Sequence, residues 1–246
     1  MGLLAVKTLN AHDDQIDYCV LCQPQQQQGP QPALASAAAL VAVPKVKANS
    51  WHYLTCTTAL GGSVISQRHH SICHILREYA TIAGAIVEVE PKHRFANNEE
   101  RVDLEVLLDG KRIMIDVAVI DSTSGRNQRK TAGKAMSATV DKEKEKIRKY
   151  GQQCQQIQAE FIPFIIETHG GMGEKANKFI ERLALSLSKH HAPTMTRDEF
   201  RSDLYDAIGC AVQRHNALIM QTGHVRSLQS LQNRANRRRE IGRAHV

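Results

Sequence analysis

Two residues, Asp109-Gly110, constrain this chain of 246 residues more than any others. An Asp-Gly pair tolerates the left-handed backbone that a two-residue hairpin turn requires. It stands between two runs that alternate apolar and polar residues. Upstream, Arg101 to Leu108 puts Val102, Leu104, Val106 and Leu108 on one face. Downstream, Arg112 to Ile120 puts Ile113, Ile115, Val117 and Val119 on one face. Side chains alternate across a strand, so the pattern commits the segment to an antiparallel hairpin with an apolar face.

The opposite face carries Asp103 and Glu105 on the first strand, and Asp116 and Ala118 on the second. Antiparallel pairing through the turn brings Asp103 and Asp116 close together. Two converging carboxylates repel unless a cation lies between them. Hard divalent ions such as Mg²⁺ take oxygen ligands and acidify bound water. Met114, Ala118 and Ile120 share the Asp116 face, which predicts partial burial there. A buried carboxylate is costly without a metal or a cation beside it. The plainer alternative is a hairpin with one solvated face, on which an aspartate per strand carries no chemistry.

The flanking patterns supply the other layers. Ile72, Ile75, Leu76 and Tyr79 recur at helical spacing between Gln67 and Ala83, with Gly84 as the stop. Ile86, Val87 and Val89 read as a short strand ending at Pro91. Residues 121–136 read as a polar, basic loop, and Ser137 to Ile157 as a long charged helix. Phe161 to Thr168 reads as a buried strand followed by Gly170-Gly171-Met172-Gly173. A helix from Glu174 to about His190 aligns Ala176, Phe179, Ile180, Leu183, Ala184 and Leu187. Another runs from near Thr196 to about Met220, ahead of a basic tail. The predicted class is α/β in three layers.

The apolar content of 42% can fill a core, and the 4% of aromatic residues makes that core aliphatic. A net charge of +7 points to a polyanion, nucleic acid before membrane. No apolar run reaches the roughly 18 residues of a membrane span, and no secretory pattern opens the chain. Cys19-x-x-Cys22 in a non-secreted protein reads as metal binding. Cys73, Cys154 and Cys210 read as buried small hydrophobes. Residues 23–49 are Gln-rich, then Pro/Ala-rich, and read as a flexible insertion. The last six residues, 241–246, are translatable from a widely used sequencing adapter; they are read as adapter read-through and set aside.

Arg101-Val102-Asp103, then Asp116-Val117-Ala118-Val119, resembles the PD-(D/E)XK nuclease signature. The chain is more closely similar to the restriction-like endonuclease region of non-LTR retrotransposon reverse transcriptases. Segments in matching order carry the resemblance: Cys19-x-x-Cys22 with His52-x-x-x-Cys56, Arg68-His69, Glu90-Pro91, Lys146-x-x-Lys149-Tyr150 and Gly170-Gly171-Met172-Gly173. The sequence departs from the family in three places. Val102 stands for the proline of the signature, Ala118 holds the lysine position, and the gap from Cys22 to His52 is long.

The resemblance implies an αβββαβ restriction-endonuclease-like core over 61–192, with a central mixed sheet flanked by helices. A zinc-knuckle region over 1–60 precedes it, and a C-terminal helical extension over 193–240 follows. It implies Mg²⁺ or Mn²⁺ on Asp103 and Asp116, assisted by Glu90, and Zn²⁺ on Cys19, Cys22, His52 and Cys56. Three thiolates and an imidazole suit tetrahedral zinc, and the insertion adds only slowly growing loop-closure entropy. In this family the lysine comes from the following helix. Lys142, Lys146 and Lys149 share a helix face, and Lys146 is the expected catalytic one; a solvated run of alternating charge is the alternative. Arg68, His69, Lys142, Lys149, Arg234, Arg237 and Arg238 are the expected nucleic-acid contacts, with His70 as a weaker neighbour, and Glu78 on the same helix is a weaker candidate for a further acidic metal ligand. The Gly170–Gly173 run is a plain turn or a phosphate cradle at a helix N-terminus.

The implied activity is Mg²⁺-dependent nicking of target DNA in the nucleus, in association with a reverse transcriptase. The rival expectations are a zinc-knuckle nucleic-acid-binding module with a decayed nuclease core, and an unrelated α/β structural domain.

Overall fold

The computed structural model describes residues 53, 54, 56, 62–95, 101–124, 127–190 and 195–244, apart from the side chains of 188, 190, 234, 238, 239 and 241–244. Cys19, Cys22, His52 and the insertion over 23–49 lie outside the described residues. Of the expected zinc ligands only Cys56 is described, and it is buried. The chain divides into two compact units: Ser63–Ile219, and Met1–Gly62 with Met220–Val246.

The larger unit is a mixed α/β structure. Its elements run α1 (Ser63–Ile82), β1 (Ile86–Val89), β2 (Leu104–Leu108), β3 (Lys111–Ile120), α2 (Gln128–Gly133), α3 (Ser137–Gln156), β4 (Glu160–Glu167), α4 (Glu174–His190) and the first part of α5 (Arg197–Ala244). The four strands form one sheet in sequence order. β1–β2 and β2–β3 are antiparallel; β3–β4 is parallel, with α3 as the crossover.

The hairpin forms at the predicted turn. Asp109 and Gly110 have φ of 49° and 73°, and Leu108 pairs with Lys111 across them. Positive φ at both central residues matches the twist of the flanking strands. Lys189 on α4 also pairs with Asp109 at 3.0 Å, tying the hairpin tip to that helix.

Helices cover both faces of the sheet. On one face Leu104, Val106, Ile113, Ile115 and Val117 pack with Ile72 and Leu76 of α1, Phe179 and Leu183 of α4, and Phe200, Leu204 and Ile208 of α5. On the other, Met114 packs with Tyr150 and Cys154 of α3, with Phe95 and Val102 completing the cluster. β4 is buried along most of its length, as a strand under helices on both sides must be. Pro163 is tolerated because β4 pairs only with β3 and lies at the sheet edge.

Three expectations need correction. The 121–136 segment is not all loop: α2 occupies Gln128–Gly133. Asn127 Nδ2 donates to the Asp121 carbonyl, and Thr131 Oγ1 donates to the Ser122 carbonyl, so side-chain bonds to the backbone fold the segment back on itself. The last helix does not stop near Met220. It continues to Ala244, since nothing after Thr196 breaks it: no proline occurs there. The helix starts at a capping box, with Thr196 Oγ1 accepting from Glu199 N–H and Glu199 Oε2 accepting from Thr196 N–H. Finally, Cys210 is exposed on α5, whereas Cys73 and Cys154 are buried as expected.

In the smaller unit Tyr53 lies against α5. Its hydroxyl is 2.8 Å from Ser227 Oγ, and a Cβ on Gly223 would fall 2.5 Å from its ring. No described helix is long and apolar enough to cross a membrane.

Candidate metal centre beside the hairpin

The regular β2–β3 register ends at the Leu104–Ile115 pair. Asp103 is the next residue outward, and its N–H still donates to the Ile115 carbonyl at 2.9 Å. With no ladder partner opposite, β3 offers the Val117 N–H to a side chain. Asp103 Oδ2 accepts it at 2.6 Å. That bond fixes the carboxylate and leaves Oδ1 facing His69 Nε2 of α1 at 3.1 Å.

One helical turn along α1, Cys73 Sγ lies 3.6 Å from the same His69 nitrogen. His69, Cys73 and Asp103 each bring one potential ligand atom within 4.8 Å of the others. Glu90 approaches from the end of β1. Its backbone has φ of 49°, its N–H donates to the Asp103 carbonyl, and its carboxylate is 3.7 Å from His70 Nε2.

Asp116 is engaged from the other helix layer. Lys146 Nζ of α3 lies 2.7 Å from Asp116 Oδ2; the two side chains are 18% and 6% exposed. The contact is an ion pair, and no well-aligned hydrogen bond reaches that buried oxygen. Burial pushes the Asp116 pKa up, Lys146 pulls against it, and the Asp103 charge adds to the rise. The Asp103 hydrogen bond raises the His69 pKa, against burial and with help from Asp116. Burial, with the carboxylates of Asp103, Asp116 and Glu90, drives the Cys73 thiol well above its ordinary value. These groups therefore share one electrostatic environment, rich in anionic oxygen, in which the Lys146 ammonium lies against Asp116. That donor set fits a divalent cation.

The other expected residues fall into two groups. Lys146 of the three-lysine face reaches Asp116. Lys142 instead pairs with Glu145 at 2.6 Å, and Lys149 lies over the Tyr150 ring at 4.6 Å. Arg237 is exposed on α5, and the side chains of Arg234 and Arg238 lie outside the described residues. Glu78 pairs with His74 on the exposed side of α1, at 3.4 Å.

Arg68 is a correction. It is 1% exposed, donates to Asn216 Oδ1 at 2.7 Å, and cannot serve as a surface phosphate contact. Burial pulls its pKa down to about 10, partly offset by Asp121. It lies one position before His69, so the same turn of α1 sends one side chain into the core and the next to the carboxylates. The phosphate cradle at the N-terminus of α4 is also taken: the Glu143 carboxylate accepts the Lys175 N–H at 3.1 Å. A built-in anion satisfies a helix end that would otherwise favour an external one.

Cys73 is the residue missed in the sequence. Its signal was the His69-x-x-x-Cys73 spacing, which aligns both side chains on one helix face and repeats the spacing of His52 and Cys56. Compared with protein-family models and with curated proteins, the chain matches none.

Proposed function

We propose that this chain is a metal-dependent DNA endonuclease with a PD-(D/E)XK-like core of the retrotransposon kind, nicking target DNA by phosphodiester hydrolysis. The carrying observation is the contact of Lys146 Nζ with Asp116 Oδ2 at 2.7 Å. It joins the lysine of the following helix to the second hairpin aspartate, as expected for a core whose strand lysine position holds Ala118. The order of one helix, three strands, the α2–α3 crossover and a fourth strand, around a mixed sheet, supports the same reading.

In this reading Asp103 and Asp116 hold a hard divalent cation such as Mg²⁺ or Mn²⁺, with Glu90 beside them. Such an ion, when bound, polarises a phosphoryl oxygen and acidifies water. The chain's own residues do the rest. The Val117 N–H holds Asp103 in one orientation. Lys146, a cation held among largely buried groups, stabilises negative charge developing on the phosphate. The +7 net charge attracts the DNA backbone. The knuckle residues Cys19, Cys22, His52 and Cys56, with Zn²⁺, belong to the proposal as a DNA-holding element, and nuclear location and a reverse transcriptase partner follow from the retrotransposon role.

The test is nicking of supercoiled plasmid by the full chain with Mg²⁺ or Mn²⁺. Wild type nicks; Lys146→Ala loses about 100- to 1,000-fold, the cost of removing one electrostatic stabiliser of the transition state; Asp116→Ala is inactive. Equal cleavage by wild type and Asp116→Ala overturns the site. A second reading, a binding module with a decayed core, is favoured by Ala118 in the strand lysine position. Absence of cleavage by wild type, with DNA binding retained, would select it.

A further inference from the structure

We infer that His69, Cys73 and Asp103 form a three-ligand site for a borderline-soft divalent cation of the zinc class, a preference that a pure carboxylate clamp would not have. His69 Nε2 lies 3.1 Å from Asp103 Oδ1 and 3.6 Å from Cys73 Sγ, and all three atoms fall within 4.8 Å of one another. Zinc binds nitrogen, oxygen and thiolate sulfur at about 2.0–2.3 Å in a tetrahedron, so ligand atoms on one ion stand about 3.4 Å (N to O) and about 3.6 Å (N to S) apart. The two separations from the His69 nitrogen already lie near those edges, and the Asp103 oxygen and Cys73 sulfur stand within 4.8 Å of each other.

The supports are rigid. His69 and Cys73 stand one turn apart on α1, within Ser63–Ile82, and Cys73 is 4% exposed against the main core. Asp103 is held from behind by the Val117 N–H, an outer bond of the kind that orients a metal-binding carboxylate. The donor set is one imidazole, one carboxylate and the Cys73 sulfur, whose thiol would release its proton to solvent on binding the ion. Sulfur and imidazole ligands favour zinc and its neighbours over Mg²⁺. Three protein ligands leave a fourth position open, the arrangement of zinc sites that bind water or substrate. Asp116 and Lys146 are electrostatically coupled to this group, so a substrate phosphate at the open position would meet the same charges as in the nuclease reading. The site shares Asp103 with that reading but does not depend on DNA cleavage.

The probe is Co²⁺, whose thiolate complexes absorb in the near ultraviolet. It is titrated into the full chain carrying Cys19→Ser and Cys22→Ser, so that the knuckle cannot supply the signal. One equivalent should bind with a thiolate-to-cobalt charge-transfer band. Cys73→Ala should abolish the band, and His69→Ala should weaken affinity by more than the roughly 10- to 100-fold that losing an outer-shell partner costs. Exposed Cys210→Ser should leave the band unchanged. Circular dichroism checks that each variant is folded; if Cys73→Ala is not, His69→Ala decides. No band in the Cys19/Cys22 background, a band that survives in folded Cys73→Ala, or unchanged affinity in His69→Ala overturns the inference. Mg²⁺-dependent nicking without cobalt binding would overturn this inference alone; cobalt binding without nicking would overturn the nuclease reading alone.

Discussion

Replacing Lys146 by Met removes the ammonium from Asp116 while keeping an apolar stem of similar length against Tyr150, whose ring centre lies 5.7 Å from Nζ. At 2.7 Å the pair attracts by about 6 kcal/mol at an effective dielectric of about 20. That gross figure is not the cost, because Asp116 can take up a proton once its partner is gone. The protonation route sets the ceiling. The unfolded chain ionises an aspartate near its ordinary value of about 3.9, so a native state that must keep it neutral near pH 7 loses about 4 kcal/mol at most. Near pH 5 the ceiling falls to about 1.5 kcal/mol. The sign follows from the raised Asp116 pKa. A carboxyl whose pKa is higher folded than unfolded favours the fold below the unfolded value, and that contribution is lost as pH rises through the folded one. Removing Lys146 pushes the folded value higher still. Lys146→Met should therefore destabilise by about 2–4 kcal/mol near pH 7 and clearly less near pH 5. Adding Asp116→Asn should recover most of the loss. Urea unfolding at both pH values, with chelator present, measures this. A penalty equal at the two pH values, or untouched by Asp116→Asn, would refute the buried-pair argument.

Two further outcomes are expected from urea or thermal unfolding. Glu105→Gln removes a carboxylate that, despite burial, the guanidinium groups of Arg112 and Arg94 hold below its ordinary pKa. It should cost about 1–2 kcal/mol near neutral pH, a loss that fades as pH falls below the ordinary glutamate value of about 4.3 and through the lower folded one. A pH-independent penalty would exclude the ion pairs as its source. On α5, Gly223→Ala drives a Cβ into the Tyr53 ring and should destabilise by about 1–3 kcal/mol, whereas Gly209→Ala, with nothing within 4 Å of its Cβ, should stabilise by about 0.5–1 kcal/mol. The same sign for both would contradict the packing of Tyr53 on the helix.

The hairpin was legible because its information is local. Asp109-Gly110 sets the turn, the turn sets the register, and alternation then assigns the buried residues of β2. In β3 burial is continuous from Ile113 to Val117, because helices cover both faces, and Val102, beyond the end of the regular ladder, packs with Met114 and not with Leu104 as alternation predicts. The helix of Glu174–His190 was legible from its start at Glu174 to about its end, since its apolar stripe and the glycines before it are both short-range signals. Lys146 was one of three lysines on a shared face. Helical spacing could select the face, but only the packing of α3 against β3 decided that Lys146, and not Lys142 or Lys149, meets Asp116.

What the sequence alone could not decide were contacts made across the fold. Arg68 and His69 are adjacent in sequence, yet one bonds to Asn216 in the interior and the other to Asp103. That division depends on where α1 meets α5 and β2, not on residue type. Cys73 looked like a filler of the core, and it is buried as one; its second role appears only when Asp103 is brought to the same turn of α1. The two hairpin aspartates were predicted to converge by alternation. Their present geometry has another cause: the β2–β3 register ends one residue before Asp103, freeing its carboxylate to take the Val117 N–H while Asp116 stays in the strand beneath α3. Period and turn chemistry are written in neighbouring residues and fix elements. The end of a ladder and the partner of a buried charge depend on residues distant in the chain, and only the packed structure determines them.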